Sequence, residues 1–215
     1  MKITLKNGNV YEVEAGLSAF AIARQIDPEM AKSSLVCEIN GKMSDLSTAV
    51  NEDSAINYYS FEDPEGKKVF WHTSSHVLAQ AVKNLYPQSI LTIGPAIENG
   101  FYYDIDSDVT FTPDVLEKIE AEMKKVVKQG YKMERFVLPK AEALELMKYN
   151  PYKVELINEL PVDAEISFYK QGDFTDLCAG PHLFDISKIK AIKVTQCTGA
   201  YWRADAKNKV LQRIY

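Results

Sequence analysis

Apolar and polar positions follow two different rhythms along this chain, and the change from one to the other divides it. Over the first sixty residues the rhythm is that of strands. "KITL", the turn "KNGN" and "VYEVE" predict a hairpin, because Asn-Gly readily supplies the positive φ angles of a tight turn. Ser18 is placed to cap a short helix that runs to Ile26 and is ended by Pro28. "LVCEI", a second Asn-Gly at Asn40 and Gly41, and "AINYYSF" add further strands. The segment "EDPEGKK", residues 62–68, holds no apolar side chain and reads as a linker, which sets a first domain at 1–61 and a second at 69–215.

Beyond the linker the rhythm becomes helical. Val77, Leu78, Ala81, Val82 and Leu85 recur at helix spacing, predicting a helix from Ser74 to Tyr86 with Pro87 as its stop, His76 in its first turn and His72 at or just before its start. In "GPAIENGFYYDID", Asn99-Gly100 turns into an aromatic strand with Tyr102 and Tyr103 on opposite faces. A long helix follows, with Thr112 as N-cap, Pro113 first and Gly130 as C-cap, and then a shorter one from about Lys140 to Tyr149. "YKVELI", "EISFYKQG", "FTDLCAGPHL", "IKAIKVTQC" and "AYWRA" read as strands. The expected class is α+β: an N-terminal β-grasp, ubiquitin-like domain, then a larger α+β domain with a mainly antiparallel sheet and helices.

Composition narrows the function classes. With 46% hydrophobic and 26% charged residues in 215, a disordered or coiled-coil chain is excluded. "MKITLKNGNV" has no apolar signal core and no stretch approaches the roughly 18 apolar residues of a membrane span, so a cytoplasmic protein without a membrane partner is expected. Cys37, Cys178 and Cys197 are odd in number and far apart, which suits reduced thiols. A net charge of -5 argues against binding nucleic acid by bulk electrostatics. Residues 185–215 nevertheless hold seven basic side chains against two acidic ones, the pattern either of solvated strand faces or of a phosphate-facing edge.

Candidate chemistry gathers at two places. All three histidines and one cysteine fall in His72-x3-His76 and, about a hundred residues later, Cys178-x3-His182 around a Gly-Pro turn with Asp176 just upstream. These are zinc-ligand side chains, although the Cys-His spacing is not that of a zinc finger. A metalloprotease is disfavoured because "HTSSH" has Ser where H-E-x-x-H needs its general base. Taken singly, Lys153 reads as a solvated strand lysine, Tyr103 as a core aromatic and Asp176 as a turn acid; only the joint pattern promotes them.

"HTSSHVLAQAV", "GPAIENGFYYDID", "DLCAGPH" and "GAYWRADAKNKVLQRIY" together resemble, in order and spacing, the N-terminal half of the bacterial threonyl-tRNA synthetase family. The resemblance covers the whole chain, is strong from residue 70 onward and is fold-level over the first sixty. It implies a β-grasp TGS domain followed by an editing domain, shared in part with alanyl-tRNA synthetase, that hydrolyses mischarged seryl-tRNA(Thr) at the aminoacyl ester. It further implies His72 and Asp176 in water handling or orientation, Lys153 at the ester or terminal ribose, and Cys178 and His182 completing the catalytic shell. His76 and Tyr103 fall to the substrate pocket. Trp202 and Arg203, with Tyr201 before them and Trp71 elsewhere, are candidates to stack on or contact the terminal adenosine of the tRNA. Ala179 departs from the basic residue that the resemblance leads one to expect inside the motif, which argues against a phosphate contact there and leaves the chemistry untouched.

By the same resemblance no cofactor is required for editing. If a metal is bound, His72, His76, Cys178 and His182 are its ligands, as in the alanyl relatives. ATP, magnesium and a structural zinc belong to an aminoacylation domain expected beyond Tyr215, and the partner is tRNA(Thr) carrying serine. The full-length parent is expected to be a homodimer and this piece a monomer. Two other readings stay open: a non-catalytic RNA- or protein-binding module with a structural His/Cys zinc site, and a free-standing trans-editing protein.

Overall fold

A computed structural model describes every residue from Met1 to Tyr215, and the chain separates into two compact units. The first comprises Met1–Phe70 together with Gly180–Phe184. Its elements are β1 (Lys2–Leu5), β2 (Val10–Glu12), α1 (Ala19–Ile26), α2 (Pro28–Ser33), β3 (Ser34–Ile39), β4 (Lys42–Ser44) and β5 (Ser54–Ser60). They build one sheet in the order β2-β1-β5-β3-β4, in which only the β1–β5 pair is parallel. This is the β-grasp arrangement, with Ile3, Ile22, Cys37, Leu46 and Ile56 buried between sheet and α1. The turn residues behave as their chemistry requires: Asn40 and Gly41 both take positive φ, and the Ser18 hydroxyl accepts from the Ala21 N–H at 3.1 Å. Pro28 does end α1, but it also opens α2, whose N-cap is Asp27.

The helix that carries the first His pair differs from its sequence reading. α3 runs over Pro64–Leu85, so it starts inside "EDPEGKK", ten residues before Ser74, and His72 and His76 lie mid-helix. Its first intrahelical bond runs from the Lys67 N–H to the Asp63 carbonyl at 3.0 Å. Gly66 reads as a turn signal, yet its role is close approach: a Cβ there would meet the Ser60 carbonyl oxygen at 1.8 Å. Charged residues without an apolar stripe form this first turn because it is anchored by backbone contact with the end of β5.

The second unit, Trp71–Ala179 with Asp185–Tyr215, carries β6 (Ile90–Leu91), β7 (Ala96–Ile97), β8 (Gly100–Phe101), β9 (Tyr103–Asp106), α4 (Pro113–Lys128), β10 (Glu134–Leu138), α5 (Lys140–Leu146), α6 (Pro151–Asn158), β11 (Ile166–Gln171), β12 (Phe174–Leu177), β13 (Cys197–Tyr201) and β14 (Val210–Ile214). Two antiparallel sheets result, β10-β11-β12 and β13-β14-β9-β6, beside the small β7–β8 hairpin. α4 buries Leu116, Ile119, Met123 and Val126, a one-sided stripe at helix spacing, and is capped by Thr112. Its C-cap is Gln129, with Gly130 following at φ 62°.

Three strand readings are corrected. "YKVELI" is helical: Asn150 caps α6 and Pro151 occupies its first turn, signals that override the β-branched and aromatic content. Residues 189–196 form no strand, and the pairing with β14 on this side begins only at Cys197. "YWRA" leaves the sheet at Trp202, where Arg203 and Ala204 both take φ 56°. No helix is long and apolar enough to cross a membrane.

Candidate active site

The second unit brings most of the suspected residues to one cleft. About 300 Å³ in volume, it is lined by His72 and His76 of α3, Tyr103 of β9, Lys153 and Leu156 of α6, and Asp176, Leu177 and Cys178 at the end of β12, with Ile93, Gly94 and Pro95 closing one side.

Its floor is a buried charge network. Lys153 and Asp176 are each 3% exposed, and Lys153 Nζ lies 3.0 Å from Asp176 Oδ1. Tyr103 donates its hydroxyl to Asp176 Oδ2 at 2.8 Å and accepts from Lys153 Nζ at 3.3 Å. Two buried charges survive in a protein interior only when paired and hydrogen-bonded, and here each satisfies the other with the phenol as bridge. Burial pushes the Asp176 carboxyl up, but the Lys153 ammonium and the bonds it accepts outweigh this and hold it below the ordinary carboxylate range. Burial, reinforced by Asp176, drives the Tyr103 phenol well above its usual value, so it stays a donor. Both Asp176 oxygens are committed.

The histidines divide by environment. His76 Nδ1 stands 3.6 Å from Asp176 Oδ2, yet burial lowers its imidazole to about 3 despite that carboxylate, so it is neutral at physiological pH. His72 is half-buried, packs edge-on against His76 at a 5.2 Å centroid distance, and places Nε2 3.4 Å from Cys178 Sγ. His72 is therefore the less buried member of the pair at the cleft. The donor atoms of His72, His76 and Cys178 lie within 4.8 Å of one another, and imidazole with thiolate is a set that suits zinc. His182, fully buried, lies in the Gly180–Phe184 segment of the first unit, where its backbone N–H donates to Asp45 Oδ1 at 2.7 Å.

The positions come from local sequence. Asn150 accepts from the Tyr152 and Lys153 N–H groups at 3.1 Å and donates to the Leu91 carbonyl at 2.8 Å, fixing both the start and the placement of α6. Gly94 has no room for a side chain, since a Cβ would stand 2.1 Å from the Tyr103 ring, and the Ser75 hydroxyl lies 2.6 Å from the Gly94 carbonyl. Behind His76, Gln171 Nε2 donates to the His76 carbonyl at 3.2 Å and to Gln80 Oε1 at 2.9 Å, while Gln80 donates back to the Gln171 carbonyl. Gly94, Gln80 and Gln171 are absent from the sequence reading; the one available signal was a buried-phase Gln four residues after His76.

The tRNA candidates are placed otherwise. Trp202 is buried, stands edge-on to Tyr152 at 5.0 Å and donates its indole N–H to Glu155 at 3.0 Å. Arg203 pairs with Glu155 and Glu159 at 3.1 and 2.7 Å.

Comparison with known proteins defines the class first. Residues 1–57 match the TGS domain, and residues 166–215 match the "Threonyl and Alanyl tRNA synthetase second additional domain". Along its whole length the chain is similar to bacterial proteins named threonine–tRNA ligase: 57% identical over 217 residues in Clostridium tetani (strain Massachusetts / E88), and 55% in Clostridium perfringens (strain SM101 / Type A) and in Clostridium botulinum (strain Langeland / NCTC 10281 / Type F). It covers 34%, 33% and 34% of those proteins, so the chain spans about a third of the length of the curated relatives it matches. The chain matches the N-terminal TGS plus editing region of threonyl-tRNA synthetase.

Proposed function

We propose that this chain hydrolyses the aminoacyl ester of seryl-tRNA(Thr). The observation that carries the reading is a single cleft in which a half-buried histidine and a thiol face a buried Lys–Asp–Tyr network. Ester hydrolysis needs a positioned water, a stabiliser for the oxyanion and a grip on the substrate. His72 orients or deprotonates the water. Lys153, fixed by Asp176 and Tyr103, supplies positive charge to the ester or terminal ribose. His76, neutral, and Tyr103 contact the seryl group, and Cys178 and His182 complete the set.

The chemical need follows from size. A synthetic pocket for threonine rejects serine only through the contacts of one missing methyl, roughly 10–200-fold, and a second site that excludes the larger residue supplies the rest. ATP, magnesium and aminoacylation belong to the remainder of a longer, homodimeric, cytoplasmic ligase, and the partner of this region is tRNA(Thr).

Hydrolysis proceeds on this reading without a required metal. A structural zinc centre in a binding module is the competing reading that the donor set supports. Deacylation of seryl-tRNA(Thr) separates the two: His72→Ala is expected to lower the rate roughly 10²–10⁴-fold with the fold intact by circular dichroism, and prior chelation is expected to leave the wild-type rate unchanged. Stoichiometric zinc bound through Cys178, with the rate indifferent to His72→Ala, would transfer His72, His76, Cys178 and His182 to a metal site and end the catalytic assignment.

A further inference from the structure

The loop that carries His182 is built into the β-grasp unit. Asp45 follows β4, is 6% exposed and offers Oδ1 to the His182 backbone N–H at 2.7 Å. Its own main chain is fixed on both sides: the Asp45 carbonyl accepts from the Thr48 N–H at 3.0 Å, and the Leu46 carbonyl accepts from the Phe20 N–H in the first turn of α1 at 2.8 Å. Phe20 then stacks on Phe184, two residues past His182, with centroids 5.3 Å apart and ring planes 23° from parallel. Leu183 between them is 1% exposed. A carboxylate on a buried backbone N–H is a strong hydrogen bond, and without it that N–H is stranded away from water.

We propose that Asp45 is a positioning residue for the Cys178–His182 motif: its carboxylate holds the backbone of the motif's histidine, His182, with the Phe20–Phe184 stack as a second point of attachment. This rests on the editing reading for its catalytic consequence, but not for its structural content.

The test uses the full chain and two readouts. In ¹H–¹⁵N spectra the His182 amide is expected to be strongly downfield and protected from exchange in the wild type, retained in Asp45→Asn, which keeps an acceptor, and lost in Asp45→Ala. In seryl-tRNA(Thr) deacylation, Asp45→Ala is expected to lower kcat roughly ten- to a hundredfold at unchanged KM, with Asp45→Asn restoring most of it. Asp27→Ala removes the α2 cap in the same unit without touching residues 180–184, and is expected to leave kcat alone. The proposal is overturned if Asp45→Ala leaves the His182 amide and kcat as they were, or if Asp27→Ala lowers kcat equally, which would mark a general loss of stability. Should the wild type show no deacylation, the editing reading falls, and the amide readout alone decides the positioning claim.

Discussion

Lys153 and Asp176 show how one residue's meaning depends on another's. Each would be expensive to bury alone, and together with Tyr103 they form a closed set of contacts that leaves the ammonium fixed beside the cleft. His76 sits next to this pair as a neutral ring, and that neutrality has a thermodynamic consequence. Its folded value of about 3 lies below the ordinary 6.5, so between these values the unfolded chain binds a proton that the folded chain refuses. Stability is therefore expected to fall as pH drops below about 6.5, by roughly 2 kcal/mol at pH 5 at 1.36 kcal/mol per pH unit. Urea midpoints of wild type and His76→Gln, compared at pH 7.5 and pH 5, check this. The wild type should lose about 2 kcal/mol more than the variant, and equal losses would show that His76 is not the group responsible. The four-residue His/Cys pattern was legible in the sequence because histidine is so scarce in this chain. The residues that brace the cleft, the Gln80–Gln171 pair behind the His76 backbone and Gly94 against the Tyr103 ring, were not, since a lone Gln or Gly carries no such signal.

At the scale of elements, caps decide where the functional side chains stand. Asn150 closes two accounts at once: it caps α6 and satisfies the buried Leu91 carbonyl. Asn150→Ala is expected to cost more than the ~1 kcal/mol of an ordinary cap, about 2–3 kcal/mol, because it also strands a carbonyl. Thr112→Ala, at the exposed start of α4, should cost about 1 kcal/mol or less. Denaturant unfolding of the two variants provides the comparison, and equal costs would refute the double role. The hairpin and α1 of the β-grasp unit were read correctly because their turns announce themselves through Asn-Gly, a Ser cap and a proline stop, whereas α2, which the same proline opens, was not read. α6 was missed because "YKVELI" has strand composition, and the Asn-Pro before it was the better guide. The start of α3 was missed because that turn is fixed by backbone contact at Gly66, where the sequence shows only charge. The run from 189 to 196 has strand composition yet belongs to no strand, and only Thr195 and Gln196 at its end bond to Tyr215.

The charge of the whole molecule bears on how it could meet an RNA. Of the basic side chains in residues 185–215, Lys193, Arg203, Lys209 and Arg213 are engaged with Glu120, with Glu155 and Glu159, with Asp106 and with Asp104. Much of the local positive charge is thus neutralised internally, and with a net charge of -5 the chain is not built for strong electrostatic capture of RNA. The central claim concerns chemistry and discrimination, so it is best measured where weak binding does not intervene. With the chain in large excess over substrate, single-turnover deacylation of seryl-tRNA(Thr) and threonyl-tRNA(Thr) is compared at saturating protein. The account predicts rapid loss of serine and a threonyl ester spared by at least about tenfold, the scale on which one methyl group is discriminated. Equal rates for the two esters, or no hydrolysis of either above the spontaneous rate, would contradict it.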